Sequence, residues 1–244
     1  MDARSYQSVR VWDAPTRIFH WMNVLTVVLL IFTGLVFTFR GLINVDGREA
    51  HILLEAILQK MHSVVGYVFV INLVIRFIWA FTGNTFARWS AFLPTPSSLK
   101  GVFPYLKSLK QGRPQHFTGH NPAGRLAITA MLILLILLSV TGLIRAATDL
   151  YYPPFGKMYA EYVVKPGSDP ASLVAGDGTH MSNEKYGALR PYIFMAGTVH
   201  KYATYLLMVI AALHIIAVVT SEKHEAGIVS AMISGRKLVP TDKK

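Results

Sequence analysis

Four stretches of this sequence stay apolar long enough to cross the roughly 30 Å of a bilayer's hydrocarbon at about 1.5 Å per helical residue. Trp21–Phe39 has no charged residue, and Met61–Ile75 is uncharged and continues past Arg76 through Phe77, Ile78, Trp79, Ala80 and Phe81. Leu126–Ile144 lies between Arg125 and Arg145, and Tyr202–Ser221 between Lys201 and Glu222. Transmembrane β-strands are shorter and alternate in polarity, so runs of this length predict helices. The expected fold class is an all-α membrane protein, one domain over residues 1–244. Its spans are expected at about 18–39, 58–82, 124–144 and 192–221, packed as a four-helix bundle.

Composition agrees with lipid as the solvent: 52% of the 244 residues are hydrophobic and 15% charged. The net charge of +11 raises the question of a polyanionic partner. Its distribution answers it. Residues 82–124 hold Arg88, Lys100, Lys107, Lys110 and Arg113 and no acid, whereas residues 146–189 hold Lys157, Lys165 and Lys185 against Asp149, Glu161, Asp169, Asp177 and Glu184. This is the positive-inside asymmetry, so the basic balance reports topology rather than nucleic acid. It predicts residues 82–124 and both termini in the cytoplasm, with the 146–189 loop outside. The opening MDARSYQSVRVWDAPTR has mixed charge and no small-residue cleavage site, so the first span reads as retained.

The chain has no cysteine, which excludes disulfides, thiolate-ligated zinc or iron–sulfur clusters, and covalent haem attachment. Any chemistry therefore rests with the nine histidines. His20, His62, His200 and His214 lie within or at the edge of the spans. With the termini inside, helix one runs outward and helices two and four run inward. His62 and His200 then share the outer level, and His20 and His214 the inner. His200 and His214 are fourteen residues apart. Fourteen steps of about 100° return to within roughly 40° of the same face and climb about 21 Å. One face of the last helix thus presents two ligands, one above the other. Neutral imidazoles from two helices fill both axial positions of a haem iron, and such saturation favours simple electron transfer. The pattern predicts a bundle enclosing two b-type haems, ligated by the pairs His62/His200 and His20/His214. Small residues near the ligands, Gly34, Gly66, Gly197 and Ala211, leave room for flat rings.

Plainer readings stand beside this one. A single histidine in a membrane helix is more often a hydrogen-bonded polar group or part of a proton path, and a histidine-dependent transporter is the rival from another class. The constellation of four, at two depths, favours haem.

The stretches APTRIFHW (14–21), KMHSVVG (60–66), RFIWAFTGN (76–84), GHNPAGR (119–125), HKYATYLLMVIAALH (200–214) and SAMISGRK (230–237) span nearly the whole chain. In them the sequence resembles the b-type cytochrome subunit of membrane-bound NiFe hydrogenases, in the bacterial cytochrome b561 and formate dehydrogenase gamma-subunit superfamily. The resemblance implies two haems b on His20, His62, His200 and His214. It also implies a bacterial inner-membrane location and electron flow from an extracytoplasmic dehydrogenase to membrane quinone. By similarity to the formate dehydrogenase gamma subunits, Asn121 is a candidate quinone contact. Asn121 followed by Pro122 is equally a good helix cap and first helical residue. Arg17, Arg76 and Lys201 are candidate partners for haem propionates, though cations that snorkel to the interface need no such job. His120 reads as a solvated loop residue, as do His51, His116, His180 and His224.

The 146–189 segment is longer than in the hydrogenase subunits and reads as an ordered lid followed by a flexible Gly/Asp/Ser-rich stretch near 167–179. That departure leaves the donor open between a hydrogenase, another dehydrogenase and a soluble c-type cytochrome. A stand-alone cytochrome that oxidises quinol is the nearer alternative, and an oligomer stays open. Residues 226–232 are expected to form an amphipathic surface helix.

Overall fold

The computed structural model describes residues 6–39, 48–112, 115–222 and 227–241. Among them, four helices are long and apolar enough to cross a membrane: α1 (Ala14–Thr38), α2 (Arg48–Thr82), α5 (Pro122–Leu150) and α7 (Asn183–Glu222). Between them lie α3 (Trp89–Phe92), α4 (Pro96–Lys110) and α6 (Gly156–Val163), and α8 (Ile228–Ser234) follows. Two strands, β1 (Tyr6–Arg10) and β2 (Arg236–Pro240), flank the helices in sequence. Helices α2 and α7 begin well before the expected spans. Hydropathy marks only the part of a helix that suits hydrocarbon, and good helix formers such as Glu55 and Lys60 carry α2 beyond it.

The chain falls into two compact units. One takes residues up to Phe32, Tyr67–Ile133 and from Met208 onward; the other takes Thr33–Gly66 and Leu134–Leu207. His20 and His214 belong to the first unit, His62 and His200 to the second.

In the first unit a single carboxylate ties the start of α1 to the end of α2. Asp13 Oδ1 accepts the Thr16 N–H at 3.0 Å, capping α1, while Oδ2 accepts from Trp79 Nε1 at 3.1 Å and from the Asn84 N–H at 3.4 Å. Burial pushes this carboxyl up, but the donated bonds outweigh it and hold the group below the usual aspartate range. Deeper, the buried Asn72 of α2 donates through Nδ2 to Phe19 O at 3.2 Å and to Asn23 Oδ1 at 2.6 Å. These bonds fix the rotation of α1 against α2 on either side of His20.

The same unit joins the two chain ends. β1 and β2 pair antiparallel, with Tyr6 opposite Pro240 and Arg10 opposite Arg236. Gly235 turns the chain into β2 with φ +78°, and its carbonyl accepts the N–H groups of Val11 at 2.9 Å and Trp12 at 3.2 Å. A Cβ at Gly235 would stand 2.5 Å from the Trp12 carbonyl oxygen, so no other residue fits there. Arg17 donates through Nη1 to the Ile233 carbonyl, and Trp21 Nε1 donates to Met232 O at 2.9 Å. Strand pairing sets Tyr6–Arg10 beside Arg236–Pro240. The surface helix expected at residues 226–232 is α8, starting at Ile228; residue 226 lies outside the described residues.

In the second unit α6 folds back on the head of α7. Tyr159, Val163 and Ile193 form a small buried core, flanked by Tyr151, Leu173, Met181, Tyr186 and Leu189. Burial, together with the neighbouring phenols Tyr151 and Tyr186, pushes the Tyr159 hydroxyl up to about 12. The stretch near 167–179, expected to be flexible, carries more local structure than its composition suggests. Asp169 Oδ1 accepts the Ala171 N–H at 2.8 Å and Asp177 Oδ1 accepts the Thr179 N–H at 2.9 Å. Lys165 Nζ closes the loop on Thr179 O at 2.6 Å. Short polar side chains that accept from the backbone two residues on are the reason.

Replacing Asp13 by alanine removes the cap and leaves the Trp79 and Asn84 donors without their acceptor. Thermal unfolding in detergent should then begin earlier, with a loss of about 1–2 kcal/mol, while Asp13→Asn should retain most of the cap.

Candidate functional site

The second unit brings His62 of α2 and His200 of α7 together, with ring centroids 6.2 Å apart and planes at 69°. Each imidazole meets a threonine at its Nδ1: Thr33 Oγ1 of α1 at 2.8 Å from His62, and Thr141 Oγ1 of α5 at 2.9 Å from His200. The Thr141 hydroxyl donates its one proton to its own helix, to Leu137 O at 2.7 Å. Toward His200 it is therefore an acceptor, and Nδ1 carries the ring proton. That assignment leaves the lone pair on Nε2.

The separation of the rings fits a metal held between them. Two metal–nitrogen bonds of about 2 Å, each extended by roughly 1.1 Å to a ring centre, sum to about 6 Å. Among the described residues no group of three or more His, Cys, Asp or Glu side chains is placed to hold a metal ion. Two protein ligands are the number a haem requires, since the porphyrin supplies the other four nitrogens. Space is provided at both rings. A Cβ on Gly142 would stand 3.3 Å from His200 Cε1, and one on Gly34 would stand 3.7 Å from His62 Cε1.

Sequence reasoning missed Thr33, Thr141 and Gly142, yet a signal exists. The triplet Thr-Gly-Leu occurs at 33–35 and again at 141–143. In both copies the threonine takes an imidazole and the glycine after it leaves that ring room.

The cation packed beside this pair is Arg145, which sequence reasoning also passed over. It lies one turn beyond Thr141, with its guanidinium 3.7 Å from the position of a Gly197 Cβ, and it pairs with Asp149 at 2.6 Å. Lys201 is turned elsewhere: its Nζ sits 5.0 Å from the ring of the exposed Tyr202. One residue of helix rotates about 100°, so a neighbour of His200 in sequence lies off its face.

In the first unit His20 of α1 and His214 of α7 are close enough that a charge on one is felt at the other. His20 stands edge-on to Trp21 at 5.2 Å, and its Nδ1 is buried without a hydrogen-bond partner. Two arginines border the site. Arg17, one turn before His20, has a buried Nε without a partner. Arg76, one turn beyond Asn72, has a buried Nη1 without one and lies 4.9 Å above the Phe92 ring. Buried guanidinium donors left open call for an acceptor, and carboxylates such as porphyrin propionates match them in charge and geometry.

Asn121 caps α5. Its Oδ1 accepts the Gly124 N–H at 2.7 Å, and its Nδ2 donates to the hydroxyl of the buried Tyr105 at 2.8 Å. One amide hydrogen and one lone pair remain for any further role.

His120, expected in solvent, is packed instead against Trp12 with ring centroids 4.7 Å apart. Its Nδ1 is buried without a partner, and it bonds the Ala91 backbone. Burial, reinforced by the charges of Arg125, Arg76 and Lys237, pushes it down to about 4. The fold of the N-terminal segment over the α4–α5 loop, invisible to local sequence, is what covers it. His116 and His180 are exposed; His224 lies outside the described residues, as does the His51 side chain.

Comparison with known proteins adds a family. A family model described as prokaryotic cytochrome b561 matches residues 11–235. A probable Ni/Fe-hydrogenase B-type cytochrome subunit of Rhizobium leguminosarum bv. viciae is 28% identical over 240 residues, covering 95% of this chain and 90% of the relative. A similarly named subunit of Rhodobacter capsulatus is 24% identical over 251 residues, covering 98% and 85%. The probable Ni/Fe-hydrogenase 1 B-type cytochrome subunit of Escherichia coli (strain K12) is 32% identical over 138 residues, 54% of this chain and 57% of the relative.

Two measurements follow from the geometry. Gly142→Val puts methyl groups where the His200 ring stands, so bound haem per polypeptide should fall, with Gly142→Ala losing less. His120 binds a proton in the unfolded chain near its ordinary value of 6.5 and in the folded chain only near 4. The unfolded state therefore holds more protons in that window, and stability should fall as pH drops from 6.5 toward 4. His120→Gln should remove part of that loss, on the order of 2–3 kcal/mol at most, seen as a flatter dependence of melting temperature on pH.

Proposed function

This chain belongs to the prokaryotic cytochrome b561 family, and we propose that it binds two haems b and carries electrons between a hydrogenase-like extracytoplasmic dehydrogenase and the quinone pool. It is a multi-pass membrane protein and a b-type cytochrome. The observation that carries the two-haem reading is the opposition of His62 and His200 across 6.2 Å, with Thr141 holding the proton of His200 on Nδ1. His20 and His214, which share the first unit, form the second pair.

Haem b, held by two imidazoles, would supply an iron that changes by one electron. The protein's own residues do the rest. His62, His200, His20 and His214 ligate; Thr33 and Thr141 orient two of them; Arg17 and Arg76 offer their open donors to propionates. The apolar walls of α1, α2, α5 and α7 exclude water. The 146–189 segment faces the donor, and residues 82–124 and both chain ends lie in the cytoplasm of a bacterial inner membrane. The donor gives up two electrons, one at a time, and one quinone takes both together with two protons to become quinol. Asn121 and its Tyr105 partner lie beside the quinone. The names of the relatives support a hydrogenase as the donor.

The purified full chain should contain two haems, and His62→Ala and His214→Ala should each lose one, of different midpoint potential. A colourless protein from porphyrin-replete cells overturns the reading.

A further inference from the structure

Two haem sites with the same pair of ligands differ in potential through what surrounds those ligands, and the surroundings of the two histidine pairs do differ. We propose that Thr33 and Thr141 set the donor strength of His62 and His200 and hold that site at a lower potential than the His20–His214 site; this rests on the two-haem reading above.

Both imidazoles of the first-named pair meet a threonine hydroxyl at Nδ1, at 2.8 and 2.9 Å. For Thr141 the direction of the bond is fixed, because its proton is committed to Leu137 O at 2.7 Å, with Leu138 O a second acceptor at 3.3 Å. An imidazole that donates through Nδ1 becomes more basic at Nε2 and stabilises the more highly charged metal, here ferric over ferrous. At the other pair this effect is missing from His20, whose Nδ1 is buried with nothing to donate to.

Fixed charge has the same sign of effect. Beside His200, Arg145 is matched by Asp149 at 2.6 Å, so the pair brings no net charge. Beside His20, Arg17 and Arg76 each keep an open buried donor, and the nearby Asp13 carboxylate is engaged by Thr16, Trp79 and Asn84. Surplus positive charge favours the site that accepts an electron. Electrons entering at His62–His200 would therefore run downhill to His20–His214, one at a time, the first iron being oxidised as the second is reduced.

The test is a potentiometric titration of the full-length cytochrome in detergent, followed by its visible absorbance, for the wild type, Thr33→Val, Thr141→Val and the corresponding serine variants. Each valine variant should weaken the ferric preference of the lower-potential component roughly tenfold, about 59 mV upward for one electron. The higher component should stay in place, and serine should restore the wild-type value. Independently of how the threonine variants fold, His214→Ala should leave only the lower of the two wild-type midpoints. A shift confined to the higher component, no shift with two haems bound, or a His214→Ala protein that titrates at the higher midpoint overturns the proposal. A wild-type chain with fewer than two haems overturns the two-haem reading instead.

Discussion

An imidazole buried among apolar helices has two nitrogens to satisfy, and hydrocarbon satisfies neither. Leaving one open costs on the order of 1–3 kcal/mol, so the neighbour that takes the ring proton is as much a part of the site as the imidazole. Threonine suits this role because its hydroxyl can give its proton to its own helix and still accept from the ring, as Thr141 does with Leu137 and His200. The bond also determines helix rotation. Thr33 meets a ring from α2 and Thr141 a ring from α7, so the two contacts orient α1 to α2 and α5 to α7 within the unit. Once those faces are chosen, a Cβ at Gly142 would crowd the His200 ring at 3.3 Å while one at Gly34 would only touch the His62 ring at 3.7 Å, and the cation of the following turn, Arg145, falls across Gly197.

The first unit meets the same problem differently. There the helices are oriented by amide and carboxylate groups rather than by the imidazoles: Asn72 bridges Phe19 and Asn23, and Asp13 gathers Thr16, Trp79 and Asn84. His20 is held by its place between those bonds while its own Nδ1 stays open. Scaffold and imidazole are thus separate in this unit and fused in the other.

That division explains what could be read from the sequence. The four long apolar helices follow from hydropathy, which is a sum over many residues. The threonine partners are harder to read, because a threonine in any membrane helix can bond back to its own carbonyls, and only the repeated Thr-Gly-Leu at 33–35 and 141–143 marks these two. Lys201 drew attention by adjacency to His200, whereas the packed cation, Arg145, lies fifty-five positions away on another helix. His120 was misjudged for a similar reason: its cover, Trp12, comes from the far end of the chain. The strands were missed because five residues of alternation at Tyr6–Arg10 mean little until the partner, over two hundred residues later, is known.

The pairing of β1 with β2 has a bearing on how the protein is made. The ribosome releases Tyr6–Arg10 before α1 and Arg236–Pro240 after α8, so the earlier strand has to wait, unpaired, while the four long helices between them are made. Arg17 and Trp21 likewise wait for the carbonyls of Ile233 and Met232. Closure of the clasp therefore follows synthesis of the four long helices, and until then neither β2 nor the end of α8 covers the start of α1.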